Sequence, residues 1–237
     1  MRIKCIGTGS KGNCYLITSN SGNKLMVEAG LSLSEISNNI GKFNDLDGCI
    51  ISHSHNDHDR KLGSKQKFSD FLRYSLVKVL TPENSEVGKL YKIGDFKVIP
   101  LECNHSVVCY GYLILVDNLK ILFATDTTTI PKVNVKCDYY MVEVNYDLDI
   151  MENLISKLLT EEEENIPNHI ASVYHNHCSL QTVEDYFNNI LGDYKPKGIF
   201  TIHASMSGIL DYEKVYETLS KFSDNVIVVE GGLEIEC

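Results

Sequence analysis

No apolar run in the 237 residues approaches the roughly 18 needed to cross a bilayer, so no membrane span is expected. The stretch Met1-Arg2-Ile3-Lys4-Cys5-Ile6-Gly7 is too short and too soon interrupted for a signal peptide, and a cytosolic protein is expected. There is no CxxC pair. The eight cysteines stand scattered at 5, 14, 49, 103, 109, 137, 178 and 237, five of them inside apolar strand-like segments, which predicts buried reduced thiols and no disulfide framework. Positive charge is in deficit, 22 basic against 32 acidic residues for a net −10, which argues against a broad footprint for duplex nucleic acid. A P-loop is missing as well: Gly7-Thr8-Gly9-Ser10-Lys11-Gly12-Asn13 is glycine-rich, but a strand follows it where a helix would be needed, and no GK[ST] closes it. That loop reads as a sharp turn that needs glycine dihedrals, a reading compatible with a place at the border of an active site. No internal repeat is evident. The remaining composition, 43% hydrophobic and 23% charged, is that of an ordinary globular chain, expected to form a single domain over residues 1–237.

Against these absences one stretch stands out. Ile50-Ile51-Ser52-His53-Ser54-His55-Asn56-Asp57-His58-Asp59 puts three imidazoles and a carboxylate into the six residues 53–58. Gly48-Cys49-Ile50-Ile51 reads as a short buried strand, so the histidines fall where a strand gives way to a polar turn and their side chains can converge. Neutral imidazole with a nearby carboxylate is the donor chemistry of zinc, manganese or iron(II).

Other strand ends repeat the pattern. His105 follows Val98-Ile99-Pro100-Leu101, and His203 follows Gly198-Ile199-Phe200-Thr201-Ile202. Asp126 follows Ile121-Leu122-Phe123-Ala124 at the far end of a hairpin turned at Asp117-Asn118, and a buried carboxylate there requires compensation, by a helix cap or by bridging two metals. Glu28 closes the strand Lys24 to Val27, and a hydrogen bond to a metal-ligating histidine would satisfy it. Between the strands, amphipathic spacing predicts helices around Ile36 and Ile40, around Phe68 to Leu76, from Leu148 to Leu159 with Asp147 or Asn145 as cap, around Val183 to Ile190, and around Tyr212 to Phe222. A strand meander is expected over 90–117, and Val226-Ile227-Val228-Val229 with Leu233-Glu234-Ile235 is expected to close the sheet. The run Glu161-Glu162-Glu163-Glu164 reads as a solvated helix end. His177 lies just before a helix amino terminus, a place suited to anions, with His175 two residues away.

The set His53-x-His55-x-Asp57-His58, followed by His105, Asp126 and His203, resembles the metallo-β-lactamase fold superfamily over essentially the whole chain. The glycine-rich opening and the His177-Cys178-Ser179 site are similar to its ribonuclease Z-like branch, which includes tRNA-processing enzymes, small cyclic-nucleotide phosphodiesterases and exonuclease-like members. The resemblance implies an α/β protein, an αββα four-layer sandwich of two mixed β-sheets with helices outside. It implies two divalent metal ions, zinc first with manganese or iron as alternatives. His53, His55 and His105 would hold one, Asp57, His58 and His203 the other, and Asp126 would bridge them. Asp57 and His177 would be the catalytic residues with a metal-shared hydroxide as nucleophile, His177 acting at the leaving oxygen or the developing charge and His175 its competitor. Glu28, Asp59, Thr127 and Glu143 would orient ligands from behind. Ser10, Asn13 and His175 would touch substrate, either a small nucleotide or single-stranded nucleic acid. The two cations would supply the positive charge that the net −10 lacks. Dimers are common in that branch. Three departures stand out: Glu28 where the family usually has aspartate, the neighbours Asn104 and Ser106 of His105, and no long arm for gripping tRNA. Rival readings with the same ligands are a lactone or thioester hydrolase and a non-catalytic ligand-binding module. A redox enzyme would carry a carboxylate where His55 stands.

Overall fold

In a computed structural model of the chain, residues 1–64, 66–160, 166–205 and 208–237 are described, with only the backbone of Thr160. The acidic run at 161–164 lies outside them. The strands β1 (Arg2–Gly7), β2 (Cys14–Thr18), β3 (Lys24–Val27), β4 (Gly48–Ile50) and β5 (Lys78–Leu80) come first, with helices α1 (Leu33–Ile40) and α2 (Phe68–Tyr74) among them. Next follow β6 (Tyr91–Ile93), β7 (Phe96–Cys103), β8 (Cys109–Val116), β9 (Leu119–Ala124) and β10 (Tyr139–Glu143). The chain continues through α3 (Leu148–Thr160), α4 (Asn168–Asn176), α5 (Leu180–Ile190), β11 (Gly198–Ile202), α6 (Tyr212–Leu219), β12 (Val226–Val228) and β13 (Glu234–Glu236).

They form two sheets, ordered β13-β1-β2-β3-β4-β5 and β12-β11-β10-β9-β8-β7-β6. Both are mixed. In the first, β3, β4 and β5 run parallel while the rest pair antiparallel. In the second, β9 to β12 are parallel and β6 to β9 antiparallel. The facing sides share one apolar core, in which Ile17, Leu25 and Ile50 of the first sheet are buried with Phe96, Ile121 and Phe200 of the second. Outside the first sheet, α1 and α2 pack Ile36, Ile40, Phe68 and Leu72 onto Met26 and Cys49. Outside the second, α5 and α6 pack Val183, Phe187, Val215 and Leu219 onto Tyr140 and Val142. The architecture is thus two sheets face to face between helical layers, as the resemblance implies.

Three local readings change. The helix of Phe68 ends at Tyr74, and Leu76 stands 95% exposed with φ 61°, a turn residue belonging to neither neighbouring element. The last two strands do not share a sheet: Val226 pairs with Ile199 in the second, Ile235 with Ile3 in the first. Alternation identifies a strand but carries no information about its partner. The helix α4 went unpredicted, because its buried side depends on Ile170 alone and gives little periodicity. Between Asp147 and Asn145, Asp147 is the residue that caps α3, its Oδ1 accepting from the N–H groups of Asp149 at 2.9 Å and Ile150 at 3.4 Å. All eight cysteines are free, and seven are buried.

Candidate metal centre

The parallel registers explain why the polar residues meet. Val27 lies opposite Ile50, so β3 and β4 end level and bring Glu28 beside Ser52 and His53. Ala124 lies opposite Val142, and Glu143 opposite Ile202, so Asp126, Glu143 and His203 leave the second sheet at one edge. His105 comes from the loop between β7 and β8, whose ends pair at Cys103 and Cys109. At three of these strand ends the backbone is left-handed in a residue that is not glycine: Glu28 at φ 66°, Asp126 at 46° and His203 at 53°. Such conformations cost about 1–3 kcal/mol each and persist where surrounding contacts fix them, commonly at functional sites. The turn that carries His53 to Asp59 docks on two loops, Ala29 N–H after β3 donating to His58 O and Asn13 N–H before β2 donating to Asp57 O, both at 2.8 Å. Gly30 permits that approach, since a Cβ there would lie 1.7 Å from the Asp57 carbonyl oxygen.

Asp126 is the centre of the cluster, and its two carboxylate oxygens face different ways. Its Oδ2 lies 3.9 Å from His53 Nε2 and 4.0 Å from His105 Nε2, whose ring in turn reaches His55 Nδ1 at 3.3 Å. Its Oδ1 lies 3.2 Å from His58 Nε2 and 3.6 Å from His203 Nε2, which is also 3.6 Å from Asp57 Oδ2. Two sets of four donors result, His53, His55, His105, Asp126 and Asp57, His58, Asp126, His203, each with ligand atoms within 4.8 Å of one another. His53 Nε2 and His203 Nε2 are buried with no hydrogen-bond partner among the described residues. Buried orphan nitrogens aimed at a carboxylate are what a cation would satisfy, so the donor set fits two divalent ions.

The electrostatics agree with sites that await cations. Burial pushes the His53 imidazole down to about 2, helped by the neighbouring His58. Burial would lower His203 too, but the Asp126 and Asp57 carboxylates and the hydrogen bond to Glu143 outweigh it and raise it to about 10. His58 is raised by Asp126 and Glu28 against its own burial. Asp126 is held well below the usual carboxylate range by His203 and His58, although burial opposes this. Any proton on His58 Nε2 or His203 Nε2 would compete with a metal for the same nitrogen.

The supporting residues divide. Glu28 is buried and raised by that burial, with Oε2 3.4 Å from His58 Nδ1 and both oxygens accepting from Ser52 N–H at 3.2 Å. Glu143 Oε1 accepts from His177 Nδ1 at 2.6 Å and His203 Nδ1 at 3.0 Å, while Oε2 accepts from Thr127 N–H at 3.2 Å. Although Glu143, His177, His203 and Asp126 also cluster within ligand distance, these hydrogen bonds make Glu143 a support for two imidazoles. Thr127 reaches Glu143 through its backbone alone, its Oγ1 donating to Thr129 O at 2.8 Å. Asp59 does not reach a ligand histidine by hydrogen bond: its oxygens accept from Ser69 N–H at 2.9 Å and Ser69 Oγ at 2.7 Å, fixing the start of α2.

His177 and His175 separate cleanly. His177 stacks on His203, ring centroids 5.3 Å apart at 12°, whereas His175 is exposed on the last turn of α4 beside Tyr174. Ser10 is exposed and lines a cavity of about 480 Å³ with Lys11, Asn145, His177 and His203. Asn13 is 1% exposed, its Oδ1 accepts from Gly9 N–H at 2.8 Å and its Nδ2 lies 3.1 Å from His58 Nε2, so it joins the loop to the donor cluster from inside. Two residues escaped sequence reasoning. Ser52 Oγ lies 2.9 Å from His53 Nδ1, and Asn145 Nδ2 lies 2.8 Å from His203 O and 3.2 Å from Glu143 Oε1. Ser52 adjoins His53 and Asn145 stands two residues from Glu143, which was the one available signal.

No family model matches the chain. It is 27% identical over 176 residues to the exodeoxyribonuclease WalJ of Streptococcus pneumoniae, a match spanning 64% of this chain and 65% of WalJ. The metallo-β-lactamase fold protein YhfI from Bacillus subtilis superposes with a TM-score of 0.67 at 15% identity, covering 100% of this chain and 99% of that one. The short form of human tRNase Z superposes at 0.62 with 13% identity, covering 100% and 99%. With the two mixed sheets, the outer helices and the polar cluster at the sheet edge, these likenesses establish that the chain has the metallo-β-lactamase fold.

Proposed function

We propose that the chain is a two-metal hydrolase of phosphodiesters, acting on a small nucleotide or on single-stranded nucleic acid. The carrying observation is Asp126 standing between two histidine-rich donor sets, with the His177–Glu143 pair beside them. Two divalent ions held there would acidify a water and offset the charge of a phosphodiester. His53, His55 and His105 would hold one ion, Asp57, His58 and His203 the other, and Asp126 both. The donors accept zinc, manganese or iron(II).

The chain's own residues account for the remaining chemistry. Glu143 commits His177 Nδ1 and so leaves Nε2 as the ring nitrogen that meets substrate in the adjoining cavity. Burial alone would push the His177 imidazole down, but the Glu143 carboxylate outweighs it and the group is raised, so it carries a proton to give to a leaving oxygen. Asp57 Oδ2, 3.4 Å from His58 Nε2 and 3.6 Å from His203 Nε2, is held low by those two imidazoles against its burial and stays an anion that orients the attacking water. Lys11 and Ser10 border the same cavity and supply contacts for a phosphate. A lactone or thioester hydrolase would share the ligands, yet nothing in that chemistry calls for a protonated His177. The likeness to WalJ, a protein named as an exodeoxyribonuclease, supports the nucleic-acid reading. Eight free thiols favour a reducing compartment such as the cytosol.

The test is a panel of protein stripped and reloaded with zinc, manganese or iron(II), assayed on bis-p-nitrophenyl phosphate, cyclic nucleotides, short single-stranded DNA and RNA, a thioester and a lactone. Chelator-sensitive phosphodiester turnover is expected. Turnover of the thioester or lactone alone would overturn the reading.

A further inference from the structure

The cavity beside His177 has a neighbour. Its walls at Thr8 and Ala204 are shared with a second cavity of about 330 Å³, bounded by Tyr212, Val228, Val229 and Glu230. Tyr212 is 42% exposed, and its hydroxyl donates to Ser205 O at 3.4 Å. The ring is thus tied to a residue of the first cavity. Its helix is also fixed: Asp211 caps α6 through the N–H groups of Glu213 at 2.9 Å and Lys214 at 3.2 Å, while Val215 and Leu219 anchor it in the core. Tyr216, one turn further along, is 56% exposed.

We propose that Tyr212 is a base-stacking platform for a single-stranded polynucleotide whose scissile phosphodiester lies at the Asp126 site, an inference that rests on the phosphodiesterase reading above. A cyclic or mononucleotide substrate needs one cavity next to the donor cluster. A second cavity, sharing Thr8 and Ala204 with the first and walled by an exposed tyrosine and two valines, serves a substrate that extends beyond one nucleotide. The charges set its direction. Lys11 borders the first cavity and suits a phosphate, whereas Glu230 borders the second and repels one, so a base with its amino groups is the part that fits there. Aromatic stacking next to a cationic contact is the general way in which single strands are held without sequence preference.

The test measures binding of a fluorescein-labelled, phosphorothioate-backboned single strand to the metal-reconstituted chain by anisotropy. Tyr212→Ala is expected to weaken binding about fivefold or more, and Tyr212→Phe to stay within about twofold of the parent, because stacking needs the ring and not the hydroxyl. Tyr74→Ala, which removes a distant tyrosine 82% exposed, is expected to leave binding unchanged. The same oligonucleotide annealed into a duplex, with its bases hidden, should lose the dependence on residue 212. Equal affinity for the parent and Tyr212→Ala, or equal losses in Tyr212→Ala and Tyr212→Phe, would overturn the proposal. Hydrolysis of bis-p-nitrophenyl phosphate by the parent is scored separately. Its failure would count against the chemistry, while the binding comparison still decides the platform.

Discussion

The Oε1 of Glu143 lies 2.6 Å from Nδ1 of His177 and 3.0 Å from Nδ1 of His203, so one buried carboxylate oxygen orients both an imidazole proposed to hold metal and the one proposed to act on substrate. His177→Ala should therefore lower turnover of an oligonucleotide by about 10²–10⁴-fold, the usual contribution of a general acid. The loss should be much smaller with a p-nitrophenyl ester, whose leaving group departs without protonation. Glu143→Gln removes the negative charge that raises His177, so the alkaline limb of the pH–rate profile should move to lower pH. An unmoved limb would separate His177 from the proton transfer.

Gly30 tests how tightly the histidine turn is docked. Its missing Cβ would stand 1.7 Å from Asp57 O and 2.8 Å from Asn13 N, so the backbone of the turn has to move if a methyl is added. Gly30→Ala should cost about 1–3 kcal/mol in urea unfolding, as overpacking does, and displace Asp57 and His58 together. Metal retained after dialysis against a weak chelator should fall in parallel. Full retention would show that the turn holds its geometry without this contact.

The buried cap Asp147 carries a pH signature. Burial would raise its carboxyl, but the Lys214 ammonium 2.6 Å away and Gln181 hold it below the usual 3.8. Because the folded value is depressed, the stabilisation is present above the unfolded value and is lost as pH falls through the folded one. Asp147→Asn keeps a capping side chain and removes the charge. It should cost about 1 kcal/mol at neutral pH, modest because Lys214 is 39% exposed and screened by solvent. Denaturation of parent and variant should converge below the ordinary aspartate value. A gap that persists in acid would assign the stabilisation to hydrogen bonding alone.

What was legible in the sequence followed from local pattern. His53, His105, Asp126 and His203 announced themselves because each follows a run of apolar residues, and a polar group at a buried strand end needs a reason. The layer order was legible only through the family resemblance, since alternation at Val226 and Ile235 cannot say that their strands join different sheets. The left-handed turns at Glu28, Asp126 and His203 were hidden: aspartate and histidine visit that region more often than most residues, but still too rarely for the sequence to mark which of them do. Surrounding contacts impose them. Asn145 and Ser52 were hidden for a related reason: an amide or hydroxyl is unremarkable until the fold places it against an imidazole. Asp59 misled because a carboxylate next to His58 in sequence turns out to face α2.

The central claim is that Asp126 serves two ions at once, and anomalous scattering from crystals of the metal-reconstituted protein tests it most directly. The account predicts two peaks roughly 3.5–4 Å apart, the spacing of paired catalytic metals, one among His53, His55 and His105 and the other among Asp57, His58 and His203. A single peak, or a pair that leaves Asp126 out, would contradict it.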